Sequence, residues 1–401
     1  PVLAPFVNLA VVPYVGIVLL PLALLTLLAG AASGCGLDIG PWLRPVARIA
    51  IAPIDAIAAV TSWPCLDVGR VDGLLLGGAL SFGLLLVLWR PRHGWALAAA
   101  VLALAVGLVA MRPVWTRPPL GSVDVCFLDV GHGDATLLRF GDGTVMLVDG
   151  GGEVGDDGRV GRAAVVPVLR HFGIRRIDHM VLSHAHPDHE NGLLAVARLF
   201  PVGQFWFTGQ GNRSAEHRAL ITALSRTGAQ WLRARHVVIG GVVIRTVWPP
   251  PSGPVPGLGL NNNSLVLSVE TAGARLLLAG DVEHEAEAML VAADRLPSID
   301  LLKVPHHGSR TSSTPPFLDA VRPRLAVAGA RGWGQLPFPH TDVMARYARR
   351  NIPLWTTDRG FVSARLGPAG SRIRQGQASA WFPAVSAAGH GTRSARAPPT
   401  P

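Results

Sequence analysis

Three imidazoles and one carboxylate fall within six consecutive residues, 184–189, of this 401-residue chain. The stretch reads His-Ala-His-Pro-Asp-His and follows a short apolar run, 177–183, that predicts a buried strand. A lone histidine is usually a core or surface residue, but four ligand-type side chains on one loop favour metal binding. Imidazole and carboxylate suit zinc, manganese or iron. Two metal ions about 3.5–4 Å apart are a known device for hydrolysing phosphoesters.

Two further segments place ligand-type side chains where an apolar strand ends. The run 276–281 ends in Gly-Asp, and the run 301–307 ends in Pro-His-His. A Gly-Asp pair after a strand is usually a turn, but beside the histidine loop Asp281 is the expected bridge between two metals. One of His306 and His307 is expected to be a ligand, and the other to face the substrate.

These segments need strands and helices to position them. Strands are predicted at 123–129, 135–140, 144–149, 177–183, 204–207, 236–248, 264–270, 275–279 and 301–304, and helices at 163–172, 192–200 and 282–293. Alternation in this proportion indicates layered sheets flanked by helices.

The first 111 residues differ in composition from the rest. They hold five basic and four acidic residues, whereas the other 290 hold 31 and 22, so nearly all of the net charge of +10 follows residue 111. The runs 3–32, 73–89 and 94–111 are uncharged and apolar, and a bilayer span needs roughly 20 such residues. The run 46–60 carries two charges and predicts an interfacial or cavity-lining helix, with a fourth span as the alternative.

We therefore predict transmembrane helices over 1–111, a linker over 112–122, an α/β domain over 123–375 and a disordered tail over 376–401. A multi-pass plasma-membrane protein in contact with lipid follows from this division. Because the chain starts with Pro1, it is expected to be a fragment. With three spans, the positive-inside rule places the α/β domain in the cytoplasm.

Taken together, the motifs resemble the metallo-β-lactamase superfamily over about 123–370. Within it, four segments resemble the hydrolase domain of the ComEC-type DNA internalization competence proteins. They are 127–135 (FLDVGHGDA), 148–151 (VDGG), 261–267 (NNNSLVL) and 304–309 (VPHHGS). The resemblance implies N-terminal transmembrane helices, the end of that family's channel region, followed by an α/β metallo-β-lactamase fold, an αββα sandwich.

The resemblance also implies which residues hold two divalent ions, Zn²⁺ or Mn²⁺. The first ion would bind His184 and His186, and the second Asp188, His189 and His307, with Asp281 as the bridge. Asp281, Asp188 and His306 are the catalytic candidates. His306 would contact phosphate or protonate the leaving group, with structural support as the alternative. Residues expected to support the ligands or contact substrate are Asp129, Asp134, Asp149, Asn261, Lys303 and His340.

Several of these positions have more specific expectations. Asp149 resembles the carboxylate that steadies the histidine loop. Asn261 stands where many members have a third histidine, so the ion at His184 would be the less securely held. Lys303 is expected to add a cation near phosphate, or else to reach solvent. Two more departures are His132, where the family usually has Gln, and Phe338, where many members have His.

The implied function is that of a DNA-uptake channel protein in natural transformation. Its metal-dependent phosphodiesterase domain, a deoxyribonuclease, would degrade the strand that is not imported. The partners would be DNA, single-stranded during uptake, together with membrane lipid and other competence proteins. A membrane-tethered hydrolase of a small ester or lactam, and a non-catalytic DNA-binding channel subunit, are the alternatives. The resemblance places the domain outside the cytoplasm, against the charge tally.

A basic domain favours polyanionic partners through counterion release. The arginines concerned are Arg170, Arg175, Arg176, Arg213, Arg218, Arg226, Arg233 and Arg235. Four aromatic residues, Phe205, Trp206, Phe207 and Trp231, are candidates for stacking on single-stranded bases, with a place in the core as the alternative.

Overall fold

The computed structural model describes residues 79, 82, 97–102, 104–105, 117–232, 236–294, 296–329 and 338–375. The chain divides into two units, Pro1–Arg112 and Pro113–Pro401, and the described residues up to 105 are helical. The predicted spans, the segment 46–60 and the tail 376–401 lie wholly or largely outside the described residues. Within the part that is described, no helix is both long and apolar enough to cross a bilayer.

Two mixed sheets form the second unit. The first sheet has the spatial order β15 (Gly370–Gln375), β14 (Val362–Gly367), β1 (Val123–Phe127), β2 (Thr136–Phe140), β3 (Val145–Val148), β4 (Ile177–Val181), β5 (Val202–Trp206), β6 (Gln230–Leu232). The second has the order β13 (Leu354–Thr356), β12 (Leu325–Ala328), β11 (Leu301–Lys303), β10 (Arg275–Leu278), β9 (Val266–Glu270), β8 (Val242–Trp248), β7 (His236–Ile239). Each sheet is parallel in one half, from β3 to β6 and from β10 to β13.

Helices cover the outer face of each sheet. They are α1 (Val166–His171), α2 (Pro187–Leu199), α3 (Ala215–Thr227), α4 (His284–Ala292), α5 (Pro315–Val321) and α6 (Thr341–Ala348). A π-helical turn over Gly161–Val165 precedes α1. Helix α3 shows how local sequence sets the ends: the Ser214 hydroxyl accepts the N–H of His217, and Gly228 ends the helix at φ 70°.

Strand alternation divides the apolar side chains into layers. In β3, Met146 faces the core between the sheets, while Leu147 faces the helices α1 to α3. In β10, Leu276 faces the inter-sheet core, while Leu277 packs under α4 to α6. All four are fully buried, and each such side chain stabilises the fold by about 1.5–3 kcal/mol. The result is four layers, so the predicted αββα sandwich is confirmed.

The element predictions differ from the structure in three places. The helix predicted from 192 begins at Pro187, because proline fits the first turn of a helix. The predicted strand region 236–248 is a hairpin, whose turn residues Gly240 and Gly241 have φ of 56° and 84°. The third difference is that α3, β6 and the elements after 305 were not predicted, although α3 buries His217, Leu220 and Leu224 at helical spacing.

Candidate metal centre

The histidine loop lies between the carboxyl end of β4 and the start of α2. The Ser183 N–H donates to Asp149 Oδ1 at 2.8 Å, and the Ser183 carbonyl accepts the N–H of Leu265 at 2.8 Å. The first contact reaches the end of β3, and the second reaches the other sheet next to β9. The loop is therefore fixed to both sheets, and the ends of β10 and β11 meet it at the same edge.

Asp281, which follows β10, lies at the centre of the cluster. Its Oδ2 is 3.2 Å from Nε2 of His189 and 3.4 Å from Nε2 of His307. The Nε2 atoms of His184 and His306 are each 3.8 Å from the same oxygen. The Asp281 side chain is only 2% exposed. One buried carboxylate oxygen thus lies within 4 Å of four imidazoles, a position suited to a bridging ligand.

The other predicted ligands surround this centre. Asp188 Oδ2 is 3.2 Å from Nε2 of His307 and 3.9 Å from Nε2 of His189. His186 Nδ1 is 3.0 Å from Nε2 of His184. The structure therefore brings all six predicted ligands into one cluster. How they divide between two ions stays a prediction.

Two outer carboxylates set the orientation of the central rings. Asp149 Oδ2 is 2.9 Å from Nδ1 of His189, and Asp134 Oδ1 is 3.4 Å from Nδ1 of His307. A ring that gives its Nδ1 proton to a carboxylate presents the Nε2 lone pair to the centre. Burial raises the pKa of Asp134, but Lys303 and His307 lower that pKa to about 2. Asp134 is therefore ionised when it holds His307.

The four histidines among the predicted ligands fall into two pairs by charge. Burial lowers the pKa of His184 and of His186, so both rings are neutral and ready to bind a cation. Burial also opposes the charged form of His189 and His307, but Asp281 and the other carboxylates raise the pKa of each well above its usual value. A bound cation would replace the protons on this second pair.

The donor set fits a divalent metal ion. Asp281 Oδ1 is buried and has no hydrogen-bond partner among the described residues. The Nε2 atoms of His189 and His307 are only 3.2 Å apart and face the same carboxylate. Together with Asp134, these residues offer ligand atoms within 4.8 Å of one another. Because Asp134 faces the far nitrogen of His307, we regard it as a partner of that ring and not as a ligand.

Lys303 differs from both expectations for it. Its side chain is 4% exposed, and Nζ lies 2.5 Å from Asp134 Oδ2. The ammonium also donates to the Val304 carbonyl at 2.9 Å. It is therefore a buried counter-charge for Asp134, and neither a phosphate contact nor a solvated lysine. Asp129 has a local contact, since its Oδ1 accepts the N–H of Gly131 at 3.2 Å.

Asn261 and His340 both connect to the turn that carries the paired histidines. A hydrogen bond from His306 lowers the pKa of Glu283 against the effect of burial, and one from Asn261 adds to it. The His340 backbone N–H donates to the Gly308 carbonyl at 2.8 Å. The His340 ring caps α6, where Nδ1 accepts the N–H of Asp342 at 3.1 Å. Asn261 is thus linked to His306 through Glu283.

Sequence reasoning missed a buried network behind the histidine loop. Glu190 Oε1 accepts an N–H of Asn212 at 2.7 Å, and Glu190 Oε2 lies 2.7 Å from Nδ1 of His217. The Asn212 amide also donates to the Ala185 carbonyl at 2.6 Å. Glu190 is next to His189 in sequence and could have been suspected. No local sequence pattern indicates Asn212, which precedes α3, or His217, which lies on α3.

Two further residues at the centre had not been assigned a role there. Glu283 Oε1 is 2.9 Å from Nδ1 of His306, and its position two residues after Asp281 was the available signal. His132 stands 4.0 Å from Asp188 Oδ2, with its ring 4.7 Å from that of His307. His132 therefore lies beside the cluster of candidate ligands.

The four aromatic residues suggested for base stacking are mainly core residues. Phe205, Trp206 and Phe207 are 0%, 1% and 7% exposed, so their rings are not available to DNA. Trp231 is 46% exposed, and its ring lies edge-on to Phe205 at 5.1 Å. The stacking hypothesis is therefore wrong for the first three.

Comparison with known proteins identifies the family to which this fold and site belong. The family model of the metallo-β-lactamase superfamily matches residues 128–333, about half of the chain. The chain belongs to this superfamily. A metallo-β-lactamase from Cronobacter sakazakii is similar in structure at a TM-score of 0.30, with 14% identity, covering 44% of this chain and 76% of that one.

The similar curated proteins include a named competence protein. Competence protein ComA of Neisseria gonorrhoeae is 31% identical over 388 residues, 94% of this chain and 50% of ComA. Recombination protein 2 of Haemophilus influenzae is 31% identical, covering 59% of this chain and 27% of that protein. Uncharacterized protein YcaI of Escherichia coli is 28% identical, covering 91% of this chain and 45% of YcaI. The predicted resemblance is confirmed. The chain spans half or less of the length of each of these relatives.

Proposed function

We propose that this chain is part of a DNA-uptake protein of natural transformation, and that its second unit is a metal-dependent phosphodiesterase. It would degrade the strand that is not imported. The observation that carries the hydrolase assignment is the convergence of four imidazoles within 4 Å of Asp281 Oδ2. The similarity to a named competence protein over 94% of the chain supports DNA as the substrate.

The ligand residues would hold two divalent ions, Zn²⁺ or Mn²⁺. They are His184, His186, Asp188, His189, Asp281 and His307. When bound, such ions supply an activated water and neutralise charge that develops on phosphoryl oxygens. Asp149 keeps the lone pair of His189 on the metal side, and Asp134 does the same for His307.

His306 is the proposed proton donor to the leaving oxygen. Its Nε2 faces the cluster 3.8 Å from Asp281 Oδ2, while Glu283 holds its Nδ1 at 2.9 Å. A carboxylate at Nδ1 fixes the orientation of the ring, so that Nε2 points toward the cluster. The backbone of His306 has φ 46°, and that of His307 has φ 52°. Such conformations cost about 1–3 kcal/mol each and occur at functional sites.

The organisation of the whole chain belongs to the same proposal. Residues 1–111 would form the end of a membrane channel region, 112–122 a linker, 123–375 the hydrolase domain and 376–401 a tail. Single-stranded DNA, membrane lipid and other competence proteins would be its partners. The hydrolase domain would lie outside the cytoplasm. Protease added to intact cells should then remove a C-terminal tag, and a tag that is cleaved only after lysis contradicts this orientation.

The activity is tested with the full chain purified in detergent and loaded with Zn²⁺ or Mn²⁺. Labelled single- and double-stranded DNA should be cleaved, whereas an ester and a lactam substrate should not. Asp281→Asn should abolish cleavage, and Asp319→Asn, at an exposed ion pair with Arg350, should not. Cleavage of the ester or lactam but not of DNA would favour the membrane-tethered hydrolase. Binding without cleavage by the metal-loaded chain would favour the non-catalytic channel subunit.

A further inference from the structure

A cleft of about 220 Å³ opens at the end of the first sheet that is opposite to the metal centre. Val145 at the start of β3 and Asp178 at the start of β4 line it, whereas the metal site follows the ends of these strands. The polar and aromatic lining consists of Arg117, Arg139, Phe172, Arg175, Arg176 and Asp178. We call it the arginine cleft. Four guanidinium groups and one carboxylate give its lining a net charge of +3.

Arg139 forms the buried wall of the arginine cleft. It is 8% exposed, and its Cζ lies 4.1 Å from the centre of the Phe172 ring. Its nearest carboxylate is Asp124, at 3.6 Å. The Asp124 carboxylate also accepts two hydrogen bonds from Arg365, from Nε at 2.6 Å and from Nη2 at 2.9 Å. Asp124 is therefore shared between the guanidinium groups of Arg139 and Arg365.

The rim arginines come from two separate segments. Arg176 Nε is 3.1 Å from Asp178 Oδ1, and Asp178 Oδ2 accepts the N–H of Val145 at 3.0 Å. Arg117 packs over Gly143, where an added Cβ would lie 2.6 Å from the guanidinium carbon. Arg117 and Arg175 are exposed, and neither has a carboxylate within 4 Å among the described residues. Their charges are therefore available to an anion from outside.

The chemistry of the arginine cleft matches a phosphodiester backbone. The planar guanidinium fork pairs with phosphate oxygens in a bidentate manner. A basic groove beside an aromatic ring is typical of single-strand binding sites. The half-buried Phe172 lines this cleft, with the Arg139 guanidinium over one face of its ring. We propose that the arginine cleft binds backbone phosphates of single-stranded DNA at a site separate from the metal centre.

The proposal rests on the proposed function, because it takes DNA to be the substrate. Residues 177–183 run from the cleft to the histidine loop, a distance of about 20 Å at roughly 3.3 Å per residue. A dinucleotide cannot reach both sites. A strand of about 30 nucleotides can, since even stacked nucleotides advance about 3.4 Å each. The cleft would therefore hold the strand while the metal centre acts on another part of it.

The test measures binding of a labelled oligonucleotide of about 30 nucleotides by fluorescence anisotropy. It uses the full chain in detergent with a chelator present, so that hydrolysis does not enter. The double variant Arg175→Ala/Arg176→Ala should bind about tenfold more weakly. The slope of log K against log salt should fall by about 1.4, at about 0.7 for each lost phosphate contact. The charge-matched control is Arg324→Ala/Arg349→Ala, two exposed arginines in the half of the domain that holds the second sheet, which should change affinity by less than about twofold.

Arg117→Ala tests the cleft from a second segment and should also weaken binding of the oligonucleotide. Equal losses in the double variant and its control, or unchanged affinity in both cleft variants, would overturn the proposal. Selective loss of binding to phosphatidylglycerol in mixed micelles, with oligonucleotide binding intact, would overturn it in favour of a lipid headgroup. If the wild-type chain binds no oligonucleotide, the proposed function fails as well. If it binds and cleaves DNA but the cleft variants behave like wild type, only the cleft assignment fails.

Discussion

Replacing Asp149 with asparagine should weaken metal binding without altering any ligand. The carboxylate accepts the Ser183 N–H at 2.8 Å and lies 2.9 Å from Nδ1 of His189. An asparagine can keep only one of these contacts, because its NH₂ group must face either the Ser183 N–H or the protonated Nδ1 of His189. If its oxygen stays with Ser183, the amide donates to Nδ1 and moves the ring proton to Nε2. That nitrogen is the one that should bind the metal.

The expected loss of metal affinity follows from this shift of the His189 ring proton from Nδ1 to Nε2. Loss of a carboxylate partner behind a ligating histidine typically costs 10- to 100-fold in metal affinity, which is about 1.4–2.8 kcal/mol. The matched control is Asp156→Asn. Asp156 is also buried and accepts backbone N–H groups of Gly158, Arg159 and Val160, and none of these hydrogen bonds involves a predicted ligand. The control should lower thermal stability and leave metal affinity unchanged.

The assay is competition for Zn²⁺ against a chromophoric chelator, with the full chain in detergent near neutral pH. Circular dichroism and thermal denaturation show that each variant is folded. If folded Asp149→Asn binds Zn²⁺ within about twofold of wild type, the tautomer argument is refuted. Equal weakening in Asp156→Asn would show instead that general loosening of the fold is the cause.

Three other predictions follow from buried groups. The raised pKa values of His189 and His307 stabilise the metal-free fold at low pH, and that stability is lost as the pH rises through them. Because Zn²⁺ must displace these protons, the increase in Tm on adding Zn²⁺ should become larger as the pH is raised from about 6 to 8. An increase in Tm that does not depend on pH would contradict this prediction. Burial raises the pKa of the Cys126 thiol to about 12, so mass spectrometry should find it unalkylated near pH 8 until the chain is unfolded. Gly192→Ala should lower Tm by an amount equivalent to about 1–3 kcal/mol, because its Cβ would overlap a backbone carbonyl of the loop after β3. The control Gly259→Ala should leave Tm unchanged, because a Cβ there meets open space.

The sequence alone identified the parts of the site that are local. The loop 184–189, the Gly-Asp end at Asp281 and the paired His306 and His307 each follow an apolar strand, and strand ends can be recognised from periodicity and glycine. Because the parallel strands β10 and β11 are neighbours in the second sheet, Asp281 and the paired histidines follow strand ends at one edge. The histidine loop follows β4 of the first sheet, so only the packing of the two sheets brings it to them. The match to the superfamily's family model supports the inferred layered fold.

Only the tertiary structure decided the partners of the buried polar groups. The Lys303–Asp134 ion pair joins residues far apart in sequence, and its buried position depends on how β11 packs over the β1–β2 loop. Glu190 meets Asn212 from 22 positions away, and the arginine cleft collects side chains from three segments. Such contacts depend on side-chain direction and burial, which a residue type does not specify. The sequence therefore predicted the candidate ligands, whereas the packing determined which carboxylates orient them.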